Sequence, residues 1–255
     1  MHFQEEKMIR LEDDSRTLES YGVKNGDTLD FKDLGPQIGY RTVFLVEYFG
    51  PMLFVGMYAL RPSLIYGSDA NAKPYTWVAS LSIACWIAHF LKREFETVFI
   101  HKFSRPTMPL FNLYKNCVYY WSFGAVIGYP LCSPSYVPPS DIFVFVGLAI
   151  FLISEIGNLI CHIMLSNLRP AEGSLKRPIP RGFLFEYVSC PNYTFEVLAW
   201  VGFSVMTQIP FAYAFTLVGF VQMADWAMKK HQGYCKSYDK EYKSLRRKAI
   251  IPFVF

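Results

Sequence analysis

From Thr42 onward the chain alternates between long apolar runs and short polar connectors. Six runs can be traced, roughly 42–60, 76–99, 115–132, 141–165, 193–208 and 210–228. A helix that crosses a bilayer needs ~20 mainly apolar residues, and every run except the fifth comes near that length. The fifth and sixth are divided only by Ile209-Pro210. Proline fixes φ, removes a backbone donor and restricts the residue before it, so this pair predicts a tight turn between two antiparallel helices. The pattern predicts an all-α polytopic membrane protein with about six transmembrane helices.

Residues 1–34 break this pattern. They are polar and charged, no cleavable signal peptide is visible, and the first membrane helix is expected to act as its own insertion signal. The stretch "IRLEDDSRTLESYGVKNGDTLDF", with a turn signal at Asn25-Gly26-Asp27, resembles the second half of a ubiquitin-like domain. A unit this short buries little core alone, so it is expected to pack on something else or to be partly mobile. The division expected is therefore 1–34, a partial ubiquitin-like segment, and 35–255, a membrane-embedded domain.

Composition agrees with a membrane class. The chain is 52% hydrophobic and 18% charged, against about 25% charged in soluble domains. Basic residues cluster in segment 92–105, across the end of the second run (Lys92, Arg93, Lys102, Arg105), after the fourth run (Arg169, Lys176, Arg177, Arg181) and after the sixth (229–248), whereas 131–141 and 207–210 have none. That alternation predicts both termini on the cytosolic side, with Arg61 and Lys73 as the exception. The six cysteines are scattered singly and read as small hydrophobes, so neither a zinc site nor a disulfide framework is expected. There is no GxGxxG after a strand and no GxxxxGK[ST], so any nucleotide would be held without a Rossmann fold or P-loop.

Ionisable groups inside the runs call for another explanation, because a charge at mid-bilayer costs ~2.5–3.5 kcal/mol on insertion scales. Glu47, His89 and Asp225 occur singly. Glu155, Asn158 and His162 are spaced three and four apart on one helix face, and Asn192 and Glu196 share another. Taken alone, His89 and Asp225 read as interhelical hydrogen-bonding glue. The trio, the pair and Glu47 together predict one shared polar cavity, open to the basic cytosolic side. The basic loops suit a phosphate-bearing ligand, and equally suit anionic lipid.

Four stretches carry a resemblance over essentially the whole chain: "DLGPQIGYRTVFLVEYFGP", "HFLKREFETVFIHKFSRPTMPLFNLYKNCVYYW", "VSCPNYTFEVLAWVGF" and "RKAIIPFVF". The chain resembles the very-long-chain trans-2-enoyl-CoA reductases of the steroid 5α-reductase-like membrane family. The resemblance implies an endoplasmic reticulum membrane enzyme of lipid and sphingolipid metabolism. Such an enzyme uses NADPH to saturate the 2,3 double bond of a long-chain trans-2-enoyl-CoA, the last step of fatty-acid elongation, beside the other elongation enzymes. It also implies roles. Asn158, His162, Arg169 and Arg177 fall in the cofactor-binding stretch, and Asn192 and Glu196 lie at the nicotinamide end. Tyr193 is the proton donor and Glu47 the substrate-orienting carboxylate. Tyr234, Arg247 and Lys248 close over the cofactor. One departure matters: Phe90 stands where the family commonly has tyrosine after His89, so Tyr193 acts alone, or His89 contributes, or activity is impaired. A second is Phe195, where relatives often carry tyrosine. A steroid or polyprenol enone reductase of the same fold, and a non-catalytic relative that binds lipid or scaffolds elongation enzymes, are the alternatives.

Overall fold

The computed structural model describes residues 11, 16–31, 33–103, 106–168 and 178–255. The chain divides into two units, Met1–Gly35 and Pro36–Phe255. In the first, the described residues form one 3-10 turn, Glu19–Tyr21, closed by Gly22 at φ 80°. A second turn follows, in which the Lys24 N–H donates to Asp27 Oδ2 at 2.7 Å. Leu18, Leu29 and Phe31 are exposed, so these residues enclose no core for strands to pack on. The ubiquitin-like reading is not supported.

In the second unit each predicted run forms a helix. α1 is Tyr40–Ala59, followed by the short α2, Ser63–Tyr66. α3 is Trp77–Phe95, whose first turn is capped by Thr76 accepting from the Ala79 N–H. A π-helical turn, Glu96–Ile100, extends it. α4 is Phe111–Cys132 and α5 is Asp141–Asn167. α6, Pro191–Thr207, ends at Gln208 in the left-handed region, and α7, Pro210–Lys243, begins two residues later and kinks at Asp239.

By length and composition two of these helices, α1 and α5, qualify to cross a bilayer. The helices expected from the sequence are all present, but hydropathy alone supports fewer crossings than six. The outer face of α5 is informative: Ile142, Phe143, Phe145, Ile153, Ile156 and Ile163 are exposed. A helix of a soluble protein turns polar residues outward, whereas this one presents a continuous apolar surface suited to lipid. The protein is a membrane protein.

Close backbone approach holds the helices together. A Cβ on Gly202 would lie 2.6 Å from the Gly147 carbonyl oxygen, and one on Gly147 would lie 2.5 Å from the Gly202 oxygen. Small residues are what allow two membrane helices to meet at this distance. Gly202→Val is therefore expected to push α5 from α6 and cost at least the ~1–3 kcal/mol of an overpacked core. A lower melting temperature in detergent would show it. On the other side of the bundle, α4 lies on α1, with the Trp121 indole donating to the Val46 carbonyl at 3.2 Å. An aromatic core of Trp86, Phe90, Trp200, Phe203 and Phe215 fills the centre. Phe90 is fully buried there, 5.1 Å from the Trp86 ring and 5.8 Å from Trp200.

Three ties fix the ends. β1, Gln37–Gly39, pairs antiparallel with β2, Thr107–Pro109, joining the leading ends of α1 and α4. Arg61, the exception in the charge alternation, is a buried clamp. It donates to the carbonyls of Cys132 (2.8 Å), Ala70 (3.2 Å) and Lys73 (2.5 Å), and lies 3.6 Å over the Tyr75 ring. At the other end, the Ser189 and Cys190 N–H groups donate to the Lys248 and Ala249 carbonyls at 2.8 and 3.1 Å, and Thr194 Oγ1 donates to Ile250 at 2.6 Å.

Candidate active site

A cavity of about 1080 Å³ runs between the helices. One wall belongs to α5 and α6 and carries Asn158, His162, Asn192, Tyr193 and Glu196. The opposite wall belongs to α1 and α4 and carries Glu47, Tyr48, Lys115 and Asn116. α7 adds Trp226, Lys230 and Tyr234. Residues from separate apolar runs thus meet in one space.

Glu196 is held from several directions. It accepts from the Asn158 amide at 3.1 Å and from the Trp200 indole at 3.3 Å, and lies 3.4 Å from His89 Nε2. Both amide hydrogens of Asn158 are engaged: the nitrogen also donates to the Asn192 carbonyl at 2.9 Å, and the oxygen accepts from Lys92 at 2.7 Å. Asn158 therefore fixes Glu196 and the first turn of α6. Among the described residues the Asn192 side chain has no protein partner, although it is buried and lines the cavity. Its amide is available to a ligand. Glu47, one turn before Pro51 within α1, is buried and accepts from the Asn116 amide at 2.7 Å.

A charged layer backs this wall and reaches the cavity at Arg93, His101 and His162. His89 bridges two carboxylates, with Nδ1 2.6 Å from Glu155 and Nε2 facing Glu196. It does not line the cavity and touches it through Glu196 and through the Trp200 ring, 4.4 Å away. Lys92 pairs with Glu155 at 2.8 Å. Arg93 donates to Glu96 at 2.5 Å and to the Tyr48 hydroxyl at 2.9 Å. His162 Nδ1 is 3.0 Å from the same Glu96 oxygen. Burial, with Arg93 and His162 nearby, pushes His101 down to about 3, so its imidazole is neutral. The ligand atoms of Glu96, His101 and His162 all lie within 4.8 Å of one another, the spacing of a metal-ligand cluster. The Arg93 guanidinium, however, already occupies the Glu96 carboxylate and sits 3.2 Å from His162 Nδ1. A fixed cation there supplies the charge that a metal would.

The remaining predicted residues distribute as follows. Arg169 and Arg177 lie outside the described residues. Tyr234 lines the cavity and stacks on Tyr242 at 5.0 Å. Arg247 is buried, donating to the Pro180 carbonyl at 2.7 Å and to Glu186 at 3.2 Å. With Lys248 and His231 it borders a separate cavity of about 490 Å³. Asp225 is no glue between helices: it is exposed and pairs with Lys229 at 2.6 Å. Phe195 stacks on Phe183 at 5.5 Å. Sequence reasoning treated Lys92 and Arg93 as topological charge and passed over Glu96, Asn116 and Lys230. The one available signal was spacing: Arg93 and Glu96 are three apart, and Lys230 lies four from Trp226 and four from Tyr234.

These residues fit a dinucleotide. The cavity is at the upper end of the ~300–1,000 Å³ range of small-molecule sites. Its polar wall offers a free amide at Asn192, and Lys102, Lys115 and Lys230 supply positive charge for phosphate groups.

Comparison with known proteins identifies the family. Residues 106–255 match the family described as 3-oxo-5-alpha-steroid 4-dehydrogenase. The very-long-chain enoyl-CoA reductase of Dictyostelium discoideum is 46% identical, over 93% of this chain and 77% of its own. A protein of Trypanosoma brucei brucei, provisionally named an enoyl-CoA reductase, is 50% identical over 95% of this chain and 80% of its own. A trans-2,3-enoyl-CoA reductase-like protein of Mus musculus is 37% identical over 93% and 67%. The chain belongs to the 3-oxo-5-alpha-steroid 4-dehydrogenase family and groups within it with the very-long-chain enoyl-CoA reductases.

Proposed function

We propose that this oxidoreductase reduces the 2,3 double bond of a long-chain trans-2-enoyl-CoA with NADPH, as the closing step of fatty-acid elongation. We place it in the endoplasmic reticulum membrane, crossing about six times with both termini cytosolic, beside the other elongation enzymes. The observation that carries this reading is the first turn of α6, where Asn192, Tyr193 and Glu196 enter one cavity.

When bound, NADPH would supply the hydride for the β carbon, with the electron pair of the double bond moving toward the thioester oxygen. Tyr193 then gives its phenol proton to the α carbon and is left as phenolate. Asn192, with its unpaired amide, would hold the nicotinamide carboxamide, and Glu196 would accept from the same group. Asn158 and Trp200 keep the Glu196 carboxylate in register. Glu47 and Asn116 stand on the opposite wall, where the Asn116 amide can turn from the carboxylate to the developing enolate oxygen. Phe90 takes no part, because its ring is locked in the aromatic core. Tyr193 therefore carries the acid role alone.

Purified protein in detergent is expected to consume NADPH when given a long-chain trans-2-enoyl-CoA and to release the saturated acyl-CoA. Turnover of a 3-keto-4-ene steroid in its place would assign it to the steroid branch. NADPH binding with neither turnover would identify a non-catalytic relative.

A further inference from the structure

α7 carries two adjacent lysines in different surroundings. Both are exposed, and Lys229 is paired with Asp225 one turn earlier. Lys230 lines the cavity, with Nζ 4.7 Å from the centroid of the Tyr193 ring. Tyr193, Cys190 and Tyr234 favour its charge. Trp226, one turn before Lys230, lies 6.2 Å from the Tyr193 ring. Cys190 and Ala227 are buried together, with Tyr193 and Met223 packed against them. The distance between the first turn of α6 and this part of α7 is thereby fixed by packing.

We propose that Lys230 is the positioning residue for Tyr193, holding the phenol against the cavity and counter-charging the oxygen once its proton has left. This rests on the reading of Tyr193 as proton donor. An opposite charge within a few ångströms favours the charged form of a group, and an ammonium is a compact point charge with three donors. Proton transfer breaks the phenol O–H bond and forms a C–H bond at the α carbon. The O–H electron pair remains on the tyrosine oxygen beside the ammonium. Lys230 then returns a proton to that oxygen and recovers one from cavity water.

The test compares full-length Lys230→Met and Lys230→Arg with the parent protein in detergent. With enoyl-CoA, Lys230→Met is expected to lower kcat roughly ten- to a hundredfold, with both KM values within about twofold. Lys230→Arg should recover most of the loss. In protein labelled with 13C at the tyrosine ring, the Tyr193 resonance, assigned by its disappearance in Tyr193→Phe, should move in the Met variant and stay in the Arg variant. A KM for NADPH or acyl-CoA raised about tenfold at unchanged kcat would make Lys230 a phosphate contact and overturn the proposal. An unmoved Tyr193 resonance in Lys230→Met would overturn it too. If the parent protein turns over no enoyl-CoA, the proposed reaction fails, while the resonance comparison still decides whether Lys230 and Tyr193 are paired.

Discussion

Tyr193→Phe is expected to lower the rate of enoyl-CoA reduction by about 10²–10⁴-fold, the usual contribution of a positioned general acid. The substitution removes one hydroxyl and keeps the ring. The packing against Trp226 and the ammonium over the ring face therefore survive. Folding and NADPH affinity should be close to those of the parent, the latter within about twofold by fluorescence titration. Loss of turnover with retained cofactor binding places Tyr193 at the chemical step. Full turnover by the phenylalanine variant would remove it from the mechanism and shift attention to water or to the Glu47–Asn116 wall.

A comparable effect on stability is expected at Arg93. This guanidinium joins the end of α3 to α1 through Tyr48, to α5 through His162 and to the π turn through Glu96. Glu96 is fully buried, so Arg93→Met leaves a carboxylate in a low-dielectric interior with only His162 and the more distant Lys92 as partners. Breaking such a pair from one side costs about 3–5 kcal/mol, because the remaining charge is uncompensated. Thermal unfolding in detergent should show a large drop, and Arg93→Met combined with Glu96→Gln should recover part of it. If the single variant melts with the parent, Arg93 is not the keystone of this layer.

The helices were legible in the sequence because hydropathy is a local property: each apolar run became one helix, and Ile209-Pro210 marked the turn between α6 and α7. The meeting of Glu47, Asn158, Asn192 and Glu196 in one space was legible as well, since same-face spacing and the cost of an unpaired charge in lipid point the same way. The charged layer was not. Lys92 and Arg93 sit at the end of an apolar run, where basic residues also mark the cytosolic boundary, and one-dimensional charge placement cannot distinguish the two uses. Arg61 misled for the same reason, being a buried clamp among carbonyls. Asp225 erred in the opposite direction, because a single turn of helix lets it reach Lys229 on the outside. Residues 16–31 hold apolar side chains at strand-like positions, yet leave them exposed.

The backbone ties between Val188–Cys190 and Lys248–Ala249 have a consequence for biogenesis. Ser189 reaches a carbonyl 59 positions further along. Helices of a membrane protein can enter the bilayer one after another as they are synthesised, but contacts between distant parts of a chain form late. The amino end of α6, which carries Asn192 and Tyr193, therefore gains its final orientation only after α7 has been made and the segment beyond it has folded back. Until then a nascent chain can be fully inserted and still lack a competent pocket, so cellular quality control that inspects insertion alone would pass molecules that have yet to become enzymes.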